Sequence, residues 1–151
     1  YRWYGLRLFM LPGGDGNYRY PAVCEGLDYF RNPITYSAQC HILETRWMHD
    51  PAVAQGSLLN FIDAQKADGS FTGNLYLHGL HPESFYHANW AHIRQLHTNH
   101  PNDAFLHQAY DGLARYAAYF DRERDREGSG LYLAYLRDPS GNKICALHRL
   151  S

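Results

Sequence analysis

The chain has 151 residues, 45% hydrophobic and 15% aromatic, with 14 Lys and Arg against 15 Asp and Glu for a formal net charge of −1. That is enough apolar material for a globular core, and too little charge bias for a disordered tail or for electrostatic capture of nucleic acid or an anionic membrane. No run approaches about 18 consecutive apolar residues and no basic-then-apolar leader is visible, so the reading is a soluble, cytoplasmic protein.

Residues 1–35 read as a loop region leading into the helices, with Gly13-Gly14-Asp15-Gly16-Asn17 as turn chemistry that lacks the Lys-Ser/Thr ending of a phosphate loop. Tyr36 to Met48 predicts a helix with Cys40, Leu43 and Trp47 on one face. A second helix starts at Asp50-Pro51, where Asp can cap free amides and Pro fits the first turn. It runs through Ala54, Leu58, Phe61 and Ile62 to about Lys66, before Asp68-Gly69. A third, Ser84 to about His97, carries Ala88, Ala91 and Leu96. The clearest periodicity lies between Asn102 and about Arg124, where Leu106, Ala109, Tyr110, Leu113, Ala117 and Phe120 form one stripe. Pro101, Asn102 and Asp103 supply its start, and the charged run ending at Gly128 its stop. Residues 125–151 read as loop with a short extended segment.

The predicted class is therefore all-α, with antiparallel hairpins at 36–66 and 84–124 and the long loops emerging at one end. Acidic-Gly-polar turns recur at Asp15-Gly16-Asn17, Asp68-Gly69-Ser70 and Glu127-Gly128-Ser129, some 53 and 59 residues apart. That spacing is about one hairpin plus its loop, the unit of a helical array. A chain holding two such units reads as part of something longer.

Cys24, Cys40 and Cys145 are widely spaced and make neither Cys-x-x-Cys nor a zinc-type spacing, and His78, His81 and His87 do not make His-Glu-x-x-His. No disulfide framework, metal or cofactor is expected; a reducing compartment is the reading, with one disulfide pair as the alternative for a secreted chain. Thirteen Tyr, three Trp, seven Phe and ten His give many rings with polar tips, which suit hydroxyl-studded sugar faces; core filling is the alternative.

Tyr36-Ser37-Ala38-Gln39-Cys40-His41, followed by Asp50-Pro51, Leu58-Leu59-Asn60-Phe61 and Gln65-Lys66-Ala67-Asp68-Gly69-Ser70-Phe71, resembles the (α/α)6-barrel glycoside hydrolases of the trehalase, family 63 glucosidase and mannosylglycerate hydrolase type. The segment from Ser84 through Asn102-Asp103-Ala104-Phe105-Leu106 to Gly128-Ser129-Gly130-Leu131 is similar to the hairpin that follows. The resemblance implies a helical toroid of six hairpins, of which this chain would supply two, with the remainder of the barrel as its partner. It also implies hydrolysis of an oligosaccharide or glycoside. One departure stands out: the resembled enzymes carry a general-acid Asp after the aromatic, where this chain has Ser37. The acid has moved, the alignment slips, or the activity has changed.

Glycoside hydrolysis needs two carboxyl groups across the scissile bond. Glu25, within Tyr20-Pro21-Ala22-Val23-Cys24-Glu25-Gly26, leads because aromatic and apolar surroundings would push its carboxyl toward an acid role; pairing with Arg19 or Arg31 is the plainer alternative. Glu83 lies at a predicted loop-helix junction beside aromatic rings, where helix-dipole capping is the plainer explanation. Glu44 shares or adjoins the Cys40-Leu43-Trp47 face. Tyr20, Tyr36, Tyr86 and Trp90 are candidates to stack on sugar rings, with Tyr18, Tyr29 and Phe30 as further rings. Arg31, Asn32, Gln39 and His41 are candidates to bind hydroxyls, and His41 fits the motif best. No Gly-x-Ser-x-Gly elbow supports a serine hydrolase. A non-catalytic helical array that binds a glycan or a protein is the rival reading.

Overall fold

Among the described residues, 2–80, 90–124, 131–137 and 143–149, the computed structural model contains five α-helices and two small antiparallel sheets. Helix α1 (Arg2–Leu8) precedes strands β1 (Met10–Leu11) and β2 (Ala22–Val23), and a 3-10 turn covers Asp28–Phe30. Helices α2 (Thr35–Thr45), α3 (Ala52–Asp63), α4 (His92–Asn99) and α5 (Asp103–Arg124) follow, then strands β3 (Leu131–Arg137) and β4 (Lys143–Arg149). The mostly helical make-up is the predicted class. The leading region is not all loop, since α1 and the β1–β2 pair occupy part of it.

Residues Tyr1–Tyr119 form one compact unit, and α3 is its centre. Ala54 and the run Gly56 through Ile62 are all buried, because α2 and β2 both pack on this helix. Each fully buried large side chain there, such as Leu58 or Phe61, contributes about 1.5–3 kcal/mol of hydrophobic stabilisation. The Asp50 carboxylate accepts the Ala52 N–H at 2.9 Å, as its position before Pro51 predicts. Phe61, Phe71 and Trp90 meet with ring centroids 6.0 Å apart, and Tyr116 of α5 stacks on Phe71 at 4.4 Å.

Helix α2 buries a different face from the predicted one, and α5 a partly different one. In α2 the buried residues are Thr35, Ala38, Ile42 and Thr45, whereas Cys40 and Trp47 are exposed. The two threonines tolerate burial because their hydroxyls donate to backbone carbonyls, Thr35 to Thr72 and Thr45 to His41. In α5, Ala109 and Phe120 of the predicted stripe are buried, but Phe105 and Tyr116 join them while Tyr110 is 71% exposed, so the seated face is rotated away from part of the predicted stripe. Gly112 decides this rotation, for it admits the Ile62 side chain of α3 against the helix backbone. Asn102 caps α5, its Oδ1 accepting the Phe105 N–H at 3.1 Å. Helix α4 runs to Asn99, packs on α2, and is preceded by a turn at Trp90 and Ala91; the start predicted at Ser84 lies outside the described residues.

The long loops meet at the N-terminal end of α2. Thr35 N donates to Gly73 O and Leu75 N to Pro33 O, both at 2.9 Å, so the segment after α3 returns to the chain entering α2. Asn17 reinforces the junction, donating through its side chain to Tyr76 O at 3.0 Å and Gly79 O at 2.9 Å. The Asp-Gly turns that look alike in sequence differ in geometry. Asp15 and Tyr18 exchange backbone hydrogen bonds, while the Asp68 carboxylate accepts the Ser70 N–H at 2.9 Å. The Glu127 turn lies outside the described residues. In the second unit, Phe120–Ser151, β3 and β4 form an antiparallel hairpin with Leu131 opposite Arg149 and Arg137 opposite Lys143.

Candidate functional site

The path to Glu25 starts on α3. The Asn60 side chain takes both backbone groups of Tyr20, accepting its N–H and donating to its carbonyl at 2.9 Å each. One turn earlier, Gly56 lets the Pro21 carbonyl lie against the helix where a Cβ would stand 2.0 Å away. From this clamp the chain enters β2, which pairs with β1 through Met10 and Val23. Cys24 N then donates to Phe9 O at 2.8 Å, and burial pushes the Cys24 thiol up from its ordinary value.

Glu25 opens a narrow arm. Its N–H donates to Asn32 O at 3.1 Å, and Gly26 N to Phe30 O at 3.0 Å. Asp28 reverses the arm with φ 60°, a left-handed conformation that Asp tolerates better than most residues. The tip displays Leu27, Tyr29 and Phe30 to solvent, with Tyr29 and Phe30 edge to face at 5.1 Å.

The Glu25 side chain meets α2 at Ser37, whose Oγ donates to Oε2 at 2.8 Å. His41 follows Ser37 by one helical turn, on the same side of α2. Burial lowers its imidazole pKa from the ordinary value, and the Glu25 carboxylate pulls the other way. His41 Nδ1 is buried and has no hydrogen-bond partner among the described residues. Glu25, Ser37 and His41 thus stand together at the long-loop end. The apolar enclosure predicted around Glu25 is absent among the described residues: the residue is exposed, because its own arm turns Leu27, Tyr29 and Phe30 outward.

Two cavities of this unit are lined by other residues than Glu25, Ser37 and His41. One of about 440 Å³ is walled by Asp15, Tyr18, Tyr29, Arg31, Asn32 and Tyr76, among others, and so unites the predicted Arg31 and Asn32 with rings from two other loops. Tyr76 was not among the predicted residues, and only its place in a long polar-aromatic loop hints at it. The other cavity, about 460 Å³, is lined by Trp3, Leu6, Cys40, Leu43, Glu44 and Trp47, with Arg46. Glu44 therefore lies two turns beyond Ser37, about 10 Å along the axis, and faces a different space from Glu25.

Of the predicted ring-stackers, Tyr36 is 60% exposed on the first turn of α2, and Tyr20 is half-buried beside its clamp. Trp90 does not reach the surface: it is 6% exposed, because Phe61 and Phe71 hold its ring in the core. Gln39 is half-buried and turns back to donate to Tyr36 O at 3.2 Å. Glu83 and Tyr86 lie outside the described residues. No group of three His, Cys, Asp or Glu among the described residues could hold a metal ion.

No curated protein and no solved structure matches the chain. Residues 31–147 match the profile of the mannosylglycerate hydrolase MGH1-like glycoside hydrolase domain, which spans α2 to β3 and most of β4 and leaves Glu25 just upstream. The helical make-up is consistent with part of the all-α toroid of such enzymes. The chain belongs to the mannosylglycerate hydrolase MGH1-like glycoside hydrolase domain family, a carbohydrate-hydrolase family whose substrates are glycosides.

Proposed function

We propose that the protein cleaves an O-glycosidic bond with a pair of carboxyl groups and that Glu25 is one of them. The observation that carries this reading is the 2.8 Å contact between Glu25 Oε2 and Ser37 Oγ, which brings a carboxylate to the helix position where the resembled enzymes have their Asp. Glu25 is exposed at the end where the long loops gather, so a sugar can approach it, and Tyr29, Tyr36 and Arg31 stand on the same arm or helix end. Glu83 is the candidate for the second carboxyl; Glu44, on the other cavity, is less suited to act with Glu25 on one bond.

The test is hydrolysis of a panel of aryl glycosides by the full-length protein beside Glu25→Gln and Glu83→Gln. Loss of turnover in Glu25→Gln, with folding kept by circular dichroism, supports the role; activity unchanged in both variants rejects these carboxyls. Ser37 in place of the Asp favours a second reading, a glycan-binding module without catalysis. It predicts saturable binding of the same glycosides with no release of the aryl group by the unmodified protein.

A further inference from the structure

The contact between Glu25 and Ser37 carries more than proximity. Ser37 sits on the first full turn of α2 with its hydroxyl within 2.8 Å of Glu25 Oε2 and 3.3 Å of the Ile34 carbonyl. The hydroxyl anchors one carboxyl oxygen, and Oε1 has no hydrogen bond among the described residues. The arm that delivers this carboxyl is itself fixed, by the Asn32 carbonyl at the Glu25 N–H and, further back, by the Asn60 clamp on Tyr20.

We infer that the general acid has moved from the helix to the loop: Glu25 protonates the glycosidic oxygen, and Ser37 is its positioning residue. This rests on the glycosidase reading above. In the step, the bond between the anomeric carbon and the glycosidic oxygen breaks with its electron pair going to the oxygen, which takes the proton from Glu25 and leaves as an alcohol. Water adds its oxygen to the anomeric carbon and gives its proton to the second carboxyl. Glu25, left as carboxylate, is stabilised by the Ser37 O–H at Oε2 and is reloaded from solvent.

An acid is needed in proportion to how poor the leaving group is, and the test uses that dependence. The full-length protein and its variants are compared on an alkyl glycoside and on the 2,4-dinitrophenyl glycoside of whichever sugar the aryl panel shows it to hydrolyse. Glu25→Gln should slow the alkyl glycoside about 10²–10⁴-fold, the span for general acid catalysis, and the dinitrophenyl glycoside less than about 10-fold. Ser37→Ala should depress the alkyl reaction alone, and Ser37→Thr, which keeps the hydroxyl, should restore it. Adding Ser37→Asp to Glu25→Gln should recover alkyl hydrolysis by returning a carboxyl to the helix. Equal losses on both substrates in Glu25→Gln, or no loss on either, overturn the acid role; Ser37→Thr no better than Ser37→Ala overturns the positioning role. If the unmodified protein hydrolyses no glycoside of the panel, the glycosidase reading itself fails, whereas turnover without leaving-group discrimination removes only this assignment.

Discussion

Asn60 and Tyr20, 40 residues apart, form a closed ring of two hydrogen bonds of 2.9 Å, the side-chain amide of one pairing with both backbone groups of the other. Asn60 is fully buried, and burial makes the pairing obligatory, since each group would otherwise be desolvated without compensation. Asn60→Leu keeps the approximate volume and removes both partners of Tyr20. The expected cost is about 2–5 kcal/mol in urea denaturation, from two unsatisfied backbone groups. A loss below about 1 kcal/mol would mean that water replaces the amide.

Gly56→Ala tests the other half of the clamp, and two effects of opposite sign compete. Alanine favours an exposed helix interior over glycine by about 1 kcal/mol. Here, however, the new Cβ would stand 2.0 Å from the Pro21 carbonyl oxygen and 2.8 Å from the Tyr20 Cβ, and a backbone carbonyl cannot swing aside as a side-chain tip can. Overpacking of this kind costs about 1–3 kcal/mol or more. Net destabilisation, with the loop leading to Glu25 displaced, is expected in a thermal melt and in glycoside turnover; a raised melting temperature would count against so close an approach of loop and helix.

Lowering the pH should weaken the fold through His41. Burial holds its imidazole below the ordinary 6.5, with the Glu25 carboxylate opposing. Between 6.5 and the lower native value the unfolded chain binds more protons than the native one, so stability that is fully present above 6.5 declines as pH falls through that window. Denaturation from about pH 7 to about pH 5 should show this slope, and His41→Gln should flatten it. An identical slope in both proteins would remove His41 as its source.

Tyr18 makes the converse case at high pH. Burial raises its phenol from 10.0 to about 12, with smaller contributions from Cys24 and Tyr76. Between those values the unfolded chain releases a proton that the native one retains, so the Tyr18 contribution is intact below pH 10 and is lost as pH rises toward 12. Its hydroxyl donates to Leu75 O at 2.9 Å, so Tyr18→Phe should cost about 0.5–1.5 kcal/mol near neutrality. The same variant should be less sensitive to alkali, which absorbance of tyrosinate and a parallel unfolding series would show.

Much of the scaffold was legible along the chain because helix signals are local. Asp50 before Pro51 and Asn102 before Asp103 mark two helix starts, and both side chains accept the backbone N–H groups that their positions imply. Which face each helix buries was less legible. Both α2 and α5 carry apolar residues on more than one side, so periodicity allows two rotations, and the choice fell to Gly112 against Ile62 and to threonines whose hydroxyls find backbone carbonyls. Trp90 shows the same limit: a ring that suits sugar stacking fills the core equally well, and only Phe61 and Phe71 decide between them.

The sequence by itself determined the helical class, the main helix starts, the absence of a charge excess, and the replacement of an acidic residue by Ser37 in a glycosidase-like motif. Each of these depends on composition or on residues within a few positions of one another. The tertiary structure alone decided that Glu25, twelve residues earlier, comes to Ser37 and that Glu44 faces a separate cavity. The physical reason is that the arm's direction is set by distant backbone partners, Asn60 on Tyr20 and Gly56 against Pro21, and no local pattern encodes such closure.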